Sequence, residues 1–288
     1  MNKPIATISR TNEILKKFDL RAKKGFGQNF ITEPSIVGKI ADLSQCQGKA
    51  VIEIGPGIGA LTEQLALRAK QVITFEIDER LPSVLAYTLE PYQNVEIRLQ
   101  DFLETDLLSL VDSLQKQYDD IVLCANLPYY ITTPLLFKIF ESKTNISIIT
   151  VMMQKEVADR MAAQVNTKDY NALSILVQFY YEVKSVMKVP RSVFHPRPNV
   201  DSAVVQFIRR ETLLKVSDEK QFTELVKACF KQRRKTIYNN LRDYLKDQDL
   251  ALDLLIQANI DPQSRAENSQ ITDFVRLSEV YYERKGLC

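Results

Sequence analysis

Histidine and cysteine are scarce in this sequence of 288 residues, which contains one histidine and four cysteines. The cysteines stand at positions 46, 124, 229 and 288, so no pair has the C-x-x-C spacing typical of zinc-binding loops. With His195 as the only imidazole, the composition predicts no metal site. We expect the thiols to be reduced and mostly structural.

Long apolar runs are absent as well. No stretch of eighteen consecutive apolar residues occurs, so we expect no membrane-spanning helix. The first twenty residues mix polar and apolar side chains and lack the apolar block of a secretory signal. These absences predict a cytoplasmic protein without a membrane partner.

Basic side chains are concentrated in two short segments, although the formal net charge is only +2. Seven lysines or arginines and two acids fall in residues 1–30, and four of the five residues 231–235 are basic. Such clusters favour a polyanionic partner, with ordinary solvated basic faces as the alternative. The candidate contacts to a polyanion are Lys23, Lys24, Lys231, Arg233, Arg234 and Lys235.

Short apolar runs alternate with amphipathic stretches over the first part of the chain. Candidate strands are residues 50–54, 71–76, 95–99, 120–125 and 147–152, and candidate helices include residues 60–70, 79–89 and 103–117. This alternation predicts an α/β fold with a parallel sheet and helices on both faces. Two further β-rich runs, 182–189 and 201–208, are separated by a proline-rich loop and predict an antiparallel pair at one edge.

The pattern becomes helical after Arg210, which places a domain boundary there. We predict a basic N-terminal arm at 1–30, an α/β domain at 31–210 and a small all-helical domain at 211–288. The arm is expected to fold over substrate or cofactor about Gly25 and Gly27, with a loose terminus as the alternative. Residues 232–236 are expected to continue a helix, with Arg233 on or near its apolar face and bracing the domain interface through its aliphatic stem.

Three of the eight glycines, Gly55, Gly57 and Gly59, lie between a predicted strand and a predicted helix. Glycines in this context let the backbone turn sharply and approach a ligand closely, although a plain tight turn is the alternative. Glu76 ends the next strand, where a carboxylate can accept both hydroxyls of a ribose. The spacing also satisfies the dinucleotide fingerprint, so this loop fits NAD and S-adenosylmethionine equally well.

Asp101 follows the third predicted strand, at the edge of the sheet where ligands of open α/β folds bind. A carboxylate there can accept a hydrogen bond from an adenine amine. Acidic groups at the ends of two adjacent strands suit a cofactor with ribose, adenine and no pyrophosphate, although Asp is also a common turn residue. Asp101 therefore favours S-adenosylmethionine.

The fourth predicted strand runs into Asn126, Leu127, Pro128 and Tyr129, a group suited to methylating an aromatic amine. The lone pair of such an amine is delocalised into its ring, and acceptors directed at its N–H groups help turn the nitrogen toward tetrahedral geometry. The Asn126 side-chain oxygen and the Leu127 carbonyl can supply these acceptors, and Pro128 stiffens the turn that directs them. Tyr129 offers a ring for stacking the base, so catalysis is expected to rest on positioning and electrostatics.

Several longer motifs make the sequence resemble the ribosomal RNA adenine dimethyltransferases over nearly its whole length. These motifs occupy residues 26–31 (Phe-Gly-Gln-Asn-Phe-Ile), 53–57 (Glu-Ile-Gly-Pro-Gly), 126–134 (Asn-Leu-Pro-Tyr-Tyr-Ile-Thr-Thr-Pro), 153–156 (Met-Gln-Lys-Glu), 200–203 (Val-Asp-Ser-Ala), 232–236 (Gln-Arg-Arg-Lys-Thr) and 265–268 (Arg-Ala-Glu-Asn). The resemblance implies a Rossmann-like class I methyltransferase fold with a mixed seven-stranded sheet, followed by a helical RNA-binding domain.

The resemblance also implies individual roles. Asn29 and the backbone of Ile31 are expected against the cofactor, although the family more often has leucine at the second position. The remaining implied contacts are Gly55 to the methionine end, Glu76 to the ribose, Asp101 to the adenine, Asn126 to both cofactor and target amine, and Phe194 to the flipped base opposite Tyr129. Arg234 and Lys235 are expected to contact RNA phosphates, and His195 is expected to be structural rather than a general base.

The reaction implied is methyl transfer from S-adenosylmethionine to N6 of two adjacent adenosines in the 3′-terminal hairpin of 16S ribosomal RNA. S-adenosylhomocysteine is the product, the substrate is the 30S subunit or its precursor, and the enzyme is expected to be a monomer that needs no metal. Three alternatives stay open: a relative that modifies large-subunit RNA, a non-catalytic assembly factor, and a DNA adenine methyltransferase.

Overall fold

The computed structural model describes residues 3–21, 28–210 and 214–286. The predictions on Lys23, Lys24, Gly25, Gly27 and Cys288 lie outside the described residues. The strands are β1 (Phe30–Ile31), β2 (Ala50–Ile54), β3 (Gln71–Glu76), β4 (Val95–Leu99), β5 (Ile121–Asn126), β6 (Ile148–Gln154), β7 (Tyr181–Val189), β8 (Phe194–His195) and β9 (Ser202–Arg209).

The helices follow the strands in the first part of the chain and succeed one another in the last part. They are α1 (Ile8–Lys17), α2 (Pro34–Leu43), α3 (Ala60–Ala66), α4 (Pro82–Thr88), α5 (Leu107–Gln115), α6 (Thr132–Glu141), α7 (Lys155–Met161), α8 (Ala172–Tyr180), α9 (Glu219–Cys229), α10 (Ile237–Leu245), α11 (Gln248–Gln257) and α12 (Ile271–Gly286). In the described part of the chain, no helix is both long and apolar enough to cross a membrane.

Seven strands form one mixed sheet in the order β4-β3-β2-β5-β6-β9-β7. The pairs β2–β3, β3–β4, β2–β5 and β5–β6 are parallel, whereas β9 runs antiparallel to β6. The interior strand β2 is buried along its whole length, which explains its nearly continuous apolar pattern. The predicted mixed sheet with an antiparallel edge is thereby confirmed, and the carboxyl ends of β2, β3 and β5 meet at one edge.

Two compact units divide the described residues. The first lies within residues 1–158 and 184–209, and the second within 159–183 and 210–288. The units alternate along the sequence, because the chain enters the second unit after β6 and returns to the first within β7. Phe179 of α8 packs against Phe222 of α9 with ring centroids 4.7 Å apart, a contact that the sequential division at residue 210 does not anticipate. Separate functions for residues 1–30, 31–210 and 211–288 stay predictions.

The basic N-terminal segment contains a helix that belongs to the first unit. Thr7 caps α1 by accepting a hydrogen bond from the backbone N–H of Arg10 (3.3 Å). Ile5 and Ile14 are buried in the core, and the Ile5 N–H donates to a carboxylate oxygen of Glu63 (3.1 Å). Residues 5–14 are therefore packed structure rather than a loose arm, because their apolar side chains fill the core beside α3.

Residues 232–236 do not continue a helix, so that prediction is wrong. Helix α9 ends at Cys229, and α10 begins after Thr236, whose hydroxyl oxygen accepts from the Asn239 N–H (3.3 Å). The intervening turn is held by the Asn240 amide, which donates to the carbonyl of Cys229 (2.9 Å) and to that of Gln232 (3.1 Å). These bonds satisfy backbone carbonyls that a continuous helix would have satisfied itself.

Candidate active site

A pocket in the first unit opens at the carboxyl ends of β2, β3 and β5. It brings together every described residue for which the sequence predicts a role in binding the cofactor or the target base. These residues are Asn29, Ile31, Gly55, Gly57, Glu76, Asp101, Asn126, Leu127, Pro128, Tyr129 and Phe194. Their individual roles stay predictions. In the described part of the chain, no group of three or more acidic, cysteine or histidine side chains is arranged to hold a metal ion.

The glycine loop after β2 forms one wall of the pocket. Gly55 has φ +69° and Gly57 has φ +60°, a backbone region that disfavours residues with a Cβ. A Cβ at Gly57 would also lie 3.4 Å from Cε1 of Phe30, another residue of the pocket wall. The backbone geometry thus favours glycine at both positions, and the loop places Cα atoms without side chains at the surface of the pocket.

Glu76 ends β3 with its carboxylate fixed by three backbone N–H groups. Oε1 accepts from Ile77 and Asp78 (2.9 Å each), and Oε2 accepts from Gly57 (3.3 Å). Burial raises the pKa of Glu76, and the three N–H donors offset part of that rise by stabilising the anion. Glu76 lines the pocket, and the three donors leave about one of its four acceptor sites for a hydroxyl group of a ribose.

Glu53 is a second acid beside the pocket, and in the sequence it stands out only as part of the motif at 53–57. It lies in the middle of β2, is 1% exposed, and stands in register with Thr74 of β3 and Cys124 of β5. Burial raises its pKa to about 8, so Glu53 carries a proton at neutral pH. Among the described residues, Glu53 Oε2 and the hydroxyls of Thr62 and Thr74 have no well-formed hydrogen bond.

Asp101 lies at the end of the loop that follows β4. Its Oδ1 accepts from the Leu103 N–H (2.8 Å) and thereby caps a short 3-10 turn at Phe102–Glu104. The preceding residue, Gln100, donates its N–H to the Glu76 carbonyl (2.9 Å), which ties this loop to the end of β3. The structure thus supports both readings of Asp101, as a turn residue and as part of the pocket wall.

The end of β5 and the residue after it, Asn126 and Leu127, form part of the pocket wall. Leu127 donates its N–H to the carbonyl of Met152 (3.1 Å), and the Pro128 carbonyl accepts from the Thr132 hydroxyl (3.0 Å) and the Ile131 N–H (3.2 Å). These bonds fix the turn. In residues 3–21, 28–210 and 214–286, no donor reaches the Leu127 carbonyl or the Asn126 side chain. The two acceptors predicted to bind an amine are therefore available for a ligand.

Two aromatic side chains line the pocket from opposite parts of the chain. The Tyr129 hydroxyl lies 2.8 Å from the Ser202 hydroxyl, and burial raises the pKa of Tyr129. Phe194 is 5% exposed and stands opposite Ile31 in the short antiparallel pair of β1 and β8. This pairing explains why two motifs more than 160 residues apart in the chain line one pocket. His195, the next residue, is exposed and is not among the residues of the pocket wall.

Sequence reasoning missed two other features of the pocket. Tyr130 lines the pocket and is 57% exposed, which its neighbour Tyr129 obscures in the sequence. Asp78, Arg80 and Gln28 form a hydrogen-bonded cluster in which Gln28 also lines the pocket. The spacing of Glu76, Asp78 and Arg80 along the chain is a usable signal for the cluster, whereas the contact with Gln28 is visible only in the fold.

The basic cluster at 231–235 lies in the second unit. Lys231, Arg233 and Arg234 are exposed, whereas Lys235 pairs with Asp243 (3.1 Å). The Arg233 guanidinium donates to the Lys168 carbonyl (2.5 Å). Arg233 is therefore an exposed residue of a turn, and its predicted place on or near an apolar helix face is wrong because no helix passes through it.

Comparisons with known proteins find similar proteins over nearly the whole chain. The family model of ribosomal RNA adenine dimethylase matches residues 19–283. The chain is 50% identical over 288 residues to "Ribosomal RNA small subunit methyltransferase A" of Anoxybacillus flavithermus, with 98% of each chain covered. It is 47% identical to the protein of the same name from Bacillus cytotoxicus, over 98% of this chain and 99% of that one.

Two solved structures share the fold. A dimethyladenosine transferase from Plasmodium falciparum is 30% identical with a TM-score of 0.72, over 89% of this chain and 98% of that one. The 23S rRNA methyltransferase ErmE is 27% identical with a TM-score of 0.66, over 88% of this chain and 99% of that one. The likeness therefore extends through both units.

Proposed function

The chain belongs to the ribosomal RNA adenine dimethylase family, and from this we propose that it methylates N6 of two adjacent adenosines in the 3′-terminal hairpin of 16S rRNA. The methyl donor is S-adenosylmethionine and the product cofactor is S-adenosylhomocysteine. The substrate is the 30S subunit or its precursor. We further propose that the enzyme acts as a cytoplasmic monomer without a metal.

The observation that carries this proposal is the pair of available acceptors at the end of β5. Asn126 and Leu127 lie in the pocket wall, and the bonded turn at Pro128 fixes the segment that carries their side-chain oxygen and carbonyl acceptors. An adenine amine has two N–H groups, which these two acceptors match in number and polarity. Accepting both N–H bonds favours the tetrahedral nitrogen that can attack a methyl group.

The residues of the pocket fit S-adenosylmethionine, which supplies an electrophilic methyl group when bound. Glu76 is fixed by three N–H donors, which leaves about one of its four acceptor sites for a ribose hydroxyl. Asp101 is placed to accept from the adenine amine, and the bare backbone at Gly55 and Gly57 admits close approach of the ligand. Asn29 and the backbone of Ile31 contribute the opposite wall, on the strand that pairs with Phe194.

The protein side of the mechanism is positioning. Tyr129 and Phe194 hold the extruded adenine between their rings, and stacking of a base on an aromatic side chain contributes about 1–3 kcal/mol. Asn126 and Leu127 orient the amine and stabilise the charge that develops on it. Because these groups are fixed before the reaction, they lower the barrier without reorganising, and no side chain forms a covalent intermediate.

The small-subunit assignment rests on the relatives at 47–50% identity, which are named small-subunit methyltransferases. The likeness to ErmE, named a 23S rRNA methyltransferase, favours a large-subunit substrate as the second candidate. We propose that Lys231 and Arg234, with contributions from Arg233 and Lys235, bind phosphates of the ribosomal RNA. Phosphate contacts position the RNA without reading its sequence.

Transfer of labelled methyl groups to unmethylated 30S and 50S subunits in parallel tests this function. Label on 30S alone, recovered as N6,N6-dimethyladenosine at two adjacent positions, is the expected result. Label confined to 50S supports the large-subunit candidate. Label on neither subunit, with an enzyme that binds S-adenosylhomocysteine, contradicts a ribosomal substrate.

A further inference from the structure

A buried acid and an arginine form an ion pair two residues beyond Glu76. Asp78 is 2% exposed, and its two oxygens accept from Arg80 at Nε (2.9 Å) and Nη2 (2.5 Å). This two-point contact fixes the orientation of the guanidinium as well as its position. The guanidinium beside Asp78 holds the pKa of that carboxyl down at about 2, so the pair is ionised across the physiological range.

The same pair binds two points of the N-terminal region. Asp78 Oδ2 also accepts from the Gln28 side-chain amide (2.8 Å), and Arg80 Nη2 lies 3.5 Å from the Gln28 side-chain oxygen. Arg80 Nη1 donates to the carbonyl of Arg21 (3.3 Å). One guanidinium thus joins Asp78 to two residues that are seven positions apart in the sequence.

These contacts connect two walls of the proposed cofactor pocket. The Asp78 N–H is one of the three donors that fix the Glu76 carboxylate, so Asp78 and Glu76 belong to one rigid segment. Gln28 lines the pocket beside Asn29 and leads directly into β1. The distance between the carboxylate wall and the wall at residues 28–31 is therefore set in part by the Asp78–Arg80 pair.

We propose that Asp78 and Arg80 are positioning residues for S-adenosylmethionine, holding Gln28 and Asn29 against the wall that carries Glu76. The pair does not touch the reacting atoms. It keeps the pocket in the shape that binds the cofactor, so its loss weakens cofactor binding and leaves the chemical step of a bound complex largely intact. This inference rests on the proposed function in taking S-adenosylmethionine as the ligand.

Binding of S-adenosylhomocysteine to the purified full-length chain, measured by calorimetry without RNA, tests the proposal directly. Arg80→Ala is expected to weaken binding roughly tenfold, because it leaves Asp78 buried without its partner and releases Gln28. With 30S subunits as substrate, the same variant raises KM for S-adenosylmethionine by a similar factor while kcat changes less than about threefold. Arg80→Lys keeps the charge but not the two-point contact, so it gives an intermediate loss.

Two further variants separate positioning from general destabilisation. Gln28→Ala breaks the link while leaving the Asp78–Arg80 pair intact, and its effect should not add to that of Arg80→Ala if both act through one contact. Arg68→Ala is the control, because Arg68 pairs with the exposed Asp42 (2.8 Å) and lies outside the pocket wall. It is expected to leave the affinity unchanged within about twofold.

Unchanged binding of S-adenosylhomocysteine by Gln28→Ala and by a folded Arg80→Lys overturns the proposal, as does a fall in kcat at unchanged KM. If the losses of affinity caused by Gln28→Ala and Arg80→Ala add fully in the variant that carries both changes, the proposal is also contradicted. A wild-type chain that binds S-adenosylhomocysteine but methylates neither subunit contradicts the proposed substrate instead, and the positioning role is then judged on the binding data alone.

Discussion

The hydroxyl of Tyr129 lies 2.8 Å from the hydroxyl of Ser202, which joins the turn after β5 to the first residue of β9. Ser202 is fully buried and stands opposite Gln154 in the antiparallel pair of β6 and β9. A residue of the rigid sheet therefore sets the orientation of the ring proposed to stack on the target adenine. This bond gives the Val-Asp-Ser-Ala motif at 200–203 a physical role that the sequence did not reveal.

Ser202→Ala is expected to lower kcat about fivefold, because the loss of one buried hydrogen bond costs on the order of 1 kcal/mol. Affinity for S-adenosylhomocysteine should not change, since the bond holds the substrate side of the pocket. Steady-state methylation of 30S subunits and calorimetry measure the two quantities. Ser109→Ala, which removes an exposed hydroxyl on α5, is the control. A Ser202→Ala variant with normal kcat shows that the bond does not matter for the reaction.

Asn126→Ala is expected to abolish turnover while RNA binding stays largely intact. The side-chain oxygen of Asn126 accepts from no group in the described residues, so its proposed task is to accept from the target amine. Removing one preorganised acceptor of this kind costs about 100-fold or more in kcat. Single-turnover methylation and an RNA-binding titration measure the two effects, with the exposed Asn145→Ala as the control. Normal methylation by Asn126→Ala rules out this mechanism.

Local pattern was sufficient for three neighbouring strands of the sheet, β2, β3 and β4. The predicted strands at 50–54, 71–76 and 95–99 have the observed bounds, because short β-branched runs were closed by polar or glycine residues. Two of the predicted helices are shorter in the structure than the sequence predicts. The amphipathic stretch at 60–70 forms only Ala60–Ala66, and that at 103–117 divides into a 3-10 turn and Leu107–Gln115, since Asp101 and Asp106 each cap a separate segment.

Features that depend on contacts between distant residues were not predictable. The burial of Ile5 and Ile14 turns part of a basic segment into core, which charge counting cannot show. The turn at 232–236 depends on the side chain of Asn240, three residues into the next helix from Ile237. Glu53 was visible in its motif, but only the strands on either side of β2 show that it is buried and protonated.

Glu53 makes stability depend on pH in a definite direction. Its pKa rises from an ordinary 4.5 to about 8 in the folded chain because burial disfavours the charged form. Between these values the unfolded chain loses a proton that the folded chain keeps, so stability falls as pH rises from 5 to 8. The fall amounts to about 1.4 kcal/mol per pH unit at most. Below pH 4.5 the contribution is fully present.

Glu53→Gln removes this titration and is expected to become more stable relative to wild type as the pH rises. Urea unfolding at pH 5, 6.5 and 8 gives the free energy of unfolding for both proteins. Glu90→Gln, which replaces an exposed carboxyl, should keep the wild-type dependence. If the free energy of unfolding changes with pH in the same way in the wild type and in Glu53→Gln, Glu53 is ionised in the folded protein.

Charge reversal in the 231–235 turn tests the proposed phosphate contacts. The sequence predicts that reversing Arg234 and Lys235 weakens RNA binding and reduces its salt dependence. The structure predicts different effects for the two residues, because Lys235 already forms an ion pair with Asp243. Asp243 also pairs with Arg242 (2.9 Å). Within 214–286, Arg234 has no such pair, so Arg234→Glu should have the larger effect. Lys220→Glu on α9 makes the same change in charge outside the cluster.

The salt dependence distinguishes a phosphate contact from a structural effect. Each phosphate neutralised contributes about 0.7 to 0.9 to the slope of log K against log salt, through release of counterions. Arg234→Glu should therefore reduce the slope by about one unit and weaken binding to related and unrelated RNA alike. Weaker binding at an unchanged slope means that the turn alters the fold of the second unit without contacting phosphate, and Lys220→Glu matching Arg234→Glu means that overall charge, not this turn, attracts the RNA.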